Sequence, residues 1–156
     1  MKDTDLAWLG GIWDGEGSIA LFTHTERTGN KKICPCVSMC NTDIAIINKT
    51  RKLLEDIGCS FSLQELQPKN SRHKVRWDLI TRNQKYIILF LEAVKPYIFS
   101  IKKEKAEILL DYCKRRSAKM ERLPSKGSTP YDNTDWETLS KFKEICSSET
   151  TREAHV

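Results

Sequence analysis

Two neighbouring glycines inside an apolar helical repeat limit this chain more than any other feature. Leu6, Leu9, Ile12 and Trp13 recur at helical spacing behind a capping signal at Asp3 or Thr4, which predicts a helix from that point. Gly10 and Gly11 fall in its middle, where each costs roughly 1 kcal/mol against alanine. Such a loss is tolerated where a second backbone comes close, because a side chain would hold the two apart. The helix is expected to stop at Asp14-Gly15-Glu16-Gly17, where closely spaced glycines permit positive φ. The stretch occurs once. A matching second helix would therefore come from an identical subunit, with a two-fold axis through the contact.

The rest of the chain alternates hairpins with helices. Ser18 to Thr25 reads as a strand, Thr28-Gly29-Asn30 as a turn, and Lys31 to Cys40 as the returning strand. Asn41-Thr42-Asp43 is a cap signal for a helix that ends at Gly58. Phe61 and Leu63 alternate with Ser60, Ser62 and Gln64, and Val75, Trp77 and Leu79 alternate with Lys74, Arg76 and Asp78. These two runs predict a second hairpin with one apolar and one polar face, joined by a loop from Gln67 to His73. Helices follow over 83–95, broken by Pro96, and over 102–116. The order αββαββα indicates an α+β fold with an antiparallel sheet. The core is expected over 1–116. Residues 117–156 are read as a linker holding Pro124, Gly127 and Pro130, a last helix capped near Asn133-Thr134-Asp135 and ending near Cys146, and a flexible tail.

Composition narrows the function classes. No apolar run reaches the ~18 residues of a membrane span, and Met1-Lys2-Asp3-Thr4-Asp5 lacks the order of a signal peptide. The expected location is intracellular and reducing, in an organelle (chloroplast or mitochondrion) or a prokaryotic cytoplasm. Six cysteines without a C-x-x-C pair, and only three histidines, argue for buried free thiols rather than a zinc site. Lys plus Arg exceed Asp plus Glu by 26 to 21, a modest excess crowded into 69–76, 102–105 and 114–119. That permits a nucleic-acid partner. No nucleophile–base pair or phosphate loop marks a small metabolic enzyme.

Leu9-Gly10-Gly11-Ile12-Trp13-Asp14-Gly15-Glu16-Gly17 resembles the LAGLIDADG motif almost position by position. With the hairpins and helices that follow, over about 5–116, the chain resembles the single-motif, homodimeric homing endonucleases. The resemblance implies a metal-dependent endonuclease, intron-encoded, cutting both strands of a pseudo-palindrome of roughly 20 base pairs, one half-site per subunit. It implies a subunit contact through Ala7, Gly10, Gly11 and Asp14, with Asp14 capping the helices or their interface. Glu16, where the motif more often has Asp, would hold metal with its partner's copy, joined by the Gly15 carbonyl. Mg²⁺ suits such hard oxygen ligands; Mn²⁺ would substitute, and Ca²⁺ would support binding without cleavage. Asn41 would order water near the scissile phosphate, or cap the next helix. Lys102, with Lys103 as the competing choice, would neutralise charge on the phosphate. The same fold also implies two alternatives, an intron maturase acting on RNA and a silent DNA-binding regulator.

Strand alternation then names the expected DNA contacts. His24, Lys32, Ser38, Ser62, Gln64, Lys74, Arg76 and Asp78 are the expected readers, with Arg76 suited to guanine. Strand one is ambiguous, because Ala20 and Phe22 share parity with Ser18 and His24. Lys69, Arg72, Lys114, Arg115 and Arg116 are expected on phosphates.

Overall fold

The computed structural model describes residues 2–68, 70, 74–122 and 129–153, the last five by backbone alone. In order they form α1 (Asp3–Glu16), β1 (Gly17–Thr25), β2 (Lys31–Asn41), α2 (Ile44–Asp56), β3 (Ser62–Leu66), β4 (Arg76–Thr81), α3 (Gln84–Val94), a 3-10 turn (Lys95–Tyr97), α4 (Lys102–Glu121) and α5 (Asn133–Glu153). This is the expected α+β arrangement. The four strands make one antiparallel sheet in the order β1-β2-β4-β3. Gly29 turns the first hairpin at φ +83°, and Gly58 ends α2 at φ +80°, positions where a side chain would be strained. Asp43 caps α2 by accepting from the Ala45 N–H at 2.8 Å, and Asn83 caps α3 through the Lys85 N–H at 3.0 Å.

One face of the sheet is buried under the helices. Ile19 and Leu21 of β1, Ile33, Val37 and Met39 of β2 and Leu79 of β4 point into the core with Phe90, Leu91 and Leu109. The opposite face carries no helix among the described residues and alternates with the first, as the pleat requires. At the centre of the core, Trp13 lies 4.4 Å from Phe90 and 5.9 Å from Phe61 between ring centroids. Such pairs add about 0.5–1.5 kcal/mol each beyond the area they bury. The β3 strand is an edge, and Leu63 on its inward side is still 39% exposed, so its apolar alternation buries little.

Three expectations about the first helix change. It begins at Asp3 behind Lys2, with Asp5 accepting from the Lys2 N–H at 3.4 Å. It runs on through Gly15 to Glu16, and Gly17 leaves it in extended backbone, φ −83° and ψ 161°. No glycine of the motif takes positive φ. Gly17 is required instead because a Cβ there would penetrate the Trp13 indole. Gly10 is also explained within one chain. It is buried, and a Cβ on it would lie 2.5 Å from Tyr97 Cβ and 2.9 Å from the Tyr97 carbonyl oxygen. The close backbone is thus the chain's own 3-10 turn, and Gly10 leaves the set of expected subunit contacts. Gly10→Ala is expected to destabilise the fold by about 1–3 kcal/mol through overpacking. Urea titration checks this; unchanged stability would show that Tyr97 can withdraw freely.

The C-terminal region also departs from expectation. The boundary at 116 falls inside α4, and Leu139 and Phe142 of α5 belong to the main hydrophobic cluster. The last helix continues past Cys146 to Glu153. Its cap is Asp132, not Asn133-Thr134-Asp135: Asp132 Oδ1 accepts from the Asp135 N–H at 3.0 Å, and Asp135 Oδ2 from the Asp132 N–H at 3.1 Å. No helix among the described residues is long and apolar enough to cross a membrane.

Candidate nucleic-acid interface and acidic helix end

The chemistry gathers where α1 ends and β1 begins. Asp14, one turn before that end, accepts from the backbone N–H groups of Phe99 and Ser100, each at 3.2 Å, and from the Ser100 hydroxyl. Burial pushes its carboxyl up, but the Ser100 hydroxyl, those two N–H groups and the Lys102 charge outweigh it and hold the carboxyl below its ordinary value of 3.8. Asp14 therefore caps the segment that leads into α4. That role lies within one subunit and does not place the side chain on a subunit contact.

Lys102 returns the cap. Its Nζ donates to the carbonyls of Asp14 at 2.6 Å, Trp13 at 3.3 Å and Gly15 at 3.4 Å. The ammonium thus sits on the negative end of the α1 dipole, where a cation is favoured. Lys103 is exposed on the solvent side. Of the two candidate lysines, Lys102 is the one brought to the motif. Glu16 follows directly as the last residue of α1. Its side chain is exposed and has no hydrogen bond or ion pair among the described residues. A carboxylate at a helix C-terminus faces like charge, so this residue works against helix stability where it stands.

Asn41 ends β2 two residues beyond Met39, the register partner of Gly17, so it lies at the same end of the sheet as Glu16. Its Oδ1 accepts from the Asp43 N–H at 2.8 Å. Asp43, not Asn41, caps α2, which leaves the Asn41 amide N–H₂ available to a further acceptor. Ala7, Gly11 and Gly15 recur along the exposed side of α1, and a Cβ on Gly11 or Gly15 would meet nothing within 4 Å. This bare stripe is distinct from the buried Gly10.

The open sheet face carries most of the expected DNA contacts. Register and burial put His24, Lys32, Ser38, Ser62, Gln64, Arg76 and Asp78 on it, with exposed Lys74 just before β4. The ambiguity in β1 resolves, because Ile19 and Leu21 point inward and Ser18, Ala20, Phe22 and His24 point outward. Two readers already have partners. Arg76 Nε lies 3.0 Å from Asp78 Oδ1, and Lys32 Nζ lies 2.6 Å from Glu26 Oε1. Sequence reasoning passed over Ile80 on β4 and Arg82 just after it, which share the parity of Asp78; the alternation that identified Asp78 could have found them. Lys69 and Arg72 lie outside the described residues.

The basic run on α4 does not form a free phosphate-binding strip. Lys114 pairs with Glu92 at 2.6 Å and Arg115 with Asp111 at 3.0 Å. Arg116 is buried, 3.3 Å from Asp135 Oδ2, and also donates to the carbonyls of Pro130 at 2.9 Å and Thr129 at 2.8 Å. Glu92 comes from α3, Asp111 from α4 itself, and Asp135 from α5, which sequence spacing could not bring there. No cysteine forms a disulfide. Burial pushes Cys59 up to about 11 and Cys113 up to about 12, so both stay protonated at neutral pH.

A metal finds an incomplete donor set in a single chain. Among the described residues no three His, Cys, Asp or Glu side chains group so as to hold one. Glu16 and the Gly15 carbonyl supply hard oxygen donors, which suit Mg²⁺ or Ca²⁺ if a second carboxylate and substrate oxygens complete the shell.

No family model and no curated protein matches the sequence. The likeness is structural. The homing endonuclease I-CvuI, solved on the I-CreI target with Mg and with the DNA not cleaved, superposes with a TM-score of 0.58 at 18% identity, over 90% of this chain and 96% of that one. The homing endonuclease I-TnaI gives 0.59 at 19% identity, over 90% and 84%. The LAGLIDADG homing endonuclease I-SmaMI, bound to cleaved DNA, gives 0.62 at 14% identity, over 89% of this chain but 42% of that one. The chain has the fold of the LAGLIDADG homing endonucleases.

Proposed function

We propose that this chain is a sequence-specific DNA endonuclease, working as a homodimer whose two Glu16 carboxylates meet at a shared centre. The observation that carries the reading is the position of Glu16. It is an exposed acid without a partner among the described residues, at a helix end where it costs stability, at the edge of an open four-stranded sheet. A β-ribbon surface of this kind fits the major groove. Two copies are supported by the bare stripe Ala7, Gly11 and Gly15, and by the I-SmaMI comparison, in which one copy of this fold accounts for less than half of a longer chain.

Each residue has a separate task. Glu16 of both copies, with the Gly15 carbonyl, would hold the divalent metal, which supplies Lewis-acid stabilisation of charge on the phosphate. The Asn41 amide would hold water beside the phosphate. Lys102, held on the end of α1, would add positive charge near the phosphate oxygens. Lys102→Met is then expected to act twice. It should lower stability by about 1 kcal/mol, because three helix-end carbonyls lose their donor. It should also slow cleavage by roughly a hundredfold. A variant that loses stability alone would assign Lys102 to the fold and not to the chemistry.

The stripe on α1 gives a direct test of the dimer. Gly11→Leu adds a side chain where a single chain has open space. Sedimentation is expected to show a folded monomer for Gly11→Leu and a dimer for the wild type. A dimer in both would move the contact elsewhere. The main experiment is selection of duplexes from a random pool in Ca²⁺, followed by addition of Mg²⁺. A retained pseudo-palindrome of about two helical turns, cut on both strands, is the expected result. Retention without cleavage would support a DNA-binding regulator. An empty selection would remove the DNA reading and direct the assay to intron RNA.

A further inference from the structure

The outward side of the first hairpin is unlike a polar reading surface. The register pairs Ser18 with Ser38, Ala20 with Cys36, Phe22 with Cys34, and His24 with Lys32. The two middle rows thus carry Phe22, Ala20 and Cys34 at the surface, while Cys36 is buried; none of the four is charged or offers a strong hydrogen bond to a base edge. Phe22 is 37% exposed although it is aromatic. The patch is bounded by basic side chains: Lys32 at the tip, paired with Glu26 at 2.6 Å, and Arg82 beside the Cys36 thiol. An apolar patch rimmed by cations suits a polyanion that itself presents apolar groups. In the major groove of duplex DNA the only such group is the thymine 5-methyl.

We propose that Phe22, together with Ala20 and Cys34, selects thymine methyl groups in each half-site. The inference rests on the DNA reading above and adds to it the base class that this hairpin prefers. Geometry also gives the place. The β1 strand leaves the α1 end at Gly17, directly after Glu16, so at about 3.3 Å per residue Ala20 and Phe22 lie about 13 and 20 Å from the shared centre. At 3.4 Å per base pair this is about four to six base pairs out. Rows two residues apart match steps of about two base pairs.

The test uses the full chain and the duplexes retained in Ca²⁺. The retained sites are expected to be rich in thymine at those positions. Replacing those thymines by deoxyuridine removes only the methyl group, and wild-type affinity is expected to fall about fourfold per methyl. For Phe22→Ser the thymine-to-deoxyuridine ratio is expected to collapse toward one. Because the DNA itself is altered in the wild-type arm, that arm does not depend on the variant folding; thermal melting of Phe22→Ser checks the other. Retained sites without thymine there, or equal affinity for thymine and deoxyuridine in the wild type, would overturn this inference and leave the DNA reading standing. An empty selection would overturn both.

Discussion

Glu16→Gln is expected to reduce Mg²⁺-dependent cleavage of the selected duplex by roughly three orders of magnitude, while Ca²⁺-supported binding stays within a few-fold of wild type. The substitution keeps size and shape and removes the charge that would hold the metal. Stability should move the opposite way to activity. The wild-type carboxylate faces the negative end of α1 without a partner among the described residues. Its neutralisation should therefore raise stability by a few tenths of a kcal/mol. A functional residue that costs stability is the pattern this reading requires. Cleavage of the duplex by Glu16→Gln within tenfold of wild type would remove Glu16 from the chemistry. A clear fall in melting temperature would instead give it a structural task.

The second large effect concerns the anchoring of α5. Asp135 is fully buried, with Arg116 at 3.3 Å, Lys119 at 3.6 Å and Arg115 at 3.8 Å. Asp135→Ala would leave the Arg116 guanidinium buried with no counter-charge, at a cost of about 3–5 kcal/mol. For a domain of this size that lowers the melting temperature by about 10 °C. The double change Asp135→Leu with Arg116→Met removes both charges and is expected to recover most of the loss. If Asp135→Ala melts like the wild type, water reaches Arg116 and the pair is not what holds α5. The neighbouring Asp132 behaves differently in acid. The Lys119 hydrogen bond, then the Asp135 N–H, hold its carboxyl below the ordinary value of 3.8. A depressed folded value means that its contribution is complete above 3.8 and is lost as pH falls through the lowered value.

Much of this architecture was legible in the sequence because the signals are local. Periodicity, Gly29, Gly58, Asp43 and Pro96 each act within a few residues, so helices, turns and their order could be read from spacing. The motif likewise marked Glu16, and strand alternation put Lys32, Ser38, Gln64 and Asp78 on one face of the sheet. The Gly10-Gly11 pair suggests close approach of a second helix, but within one chain the two glycines differ. Gly10 meets Tyr97, 87 residues away along the chain, and Gly11 meets open space.

What the tertiary structure decided are the pairings between distant segments. Spacing could not choose between Lys102 and Lys103, because both lie in the same basic run. Contact with the α1 carbonyls made the distinction. Nor could composition tell a phosphate-binding arginine from a buried one. Arg116 became structural only when α5 brought Asp135 against it. The same holds for Phe22, whose strand parity the sequence leaves ambiguous and the register resolves as outward. Local sequence determines which elements form and where they stop. Which face is covered, and by what, depends on segments far apart in the chain, and only their packing sets it.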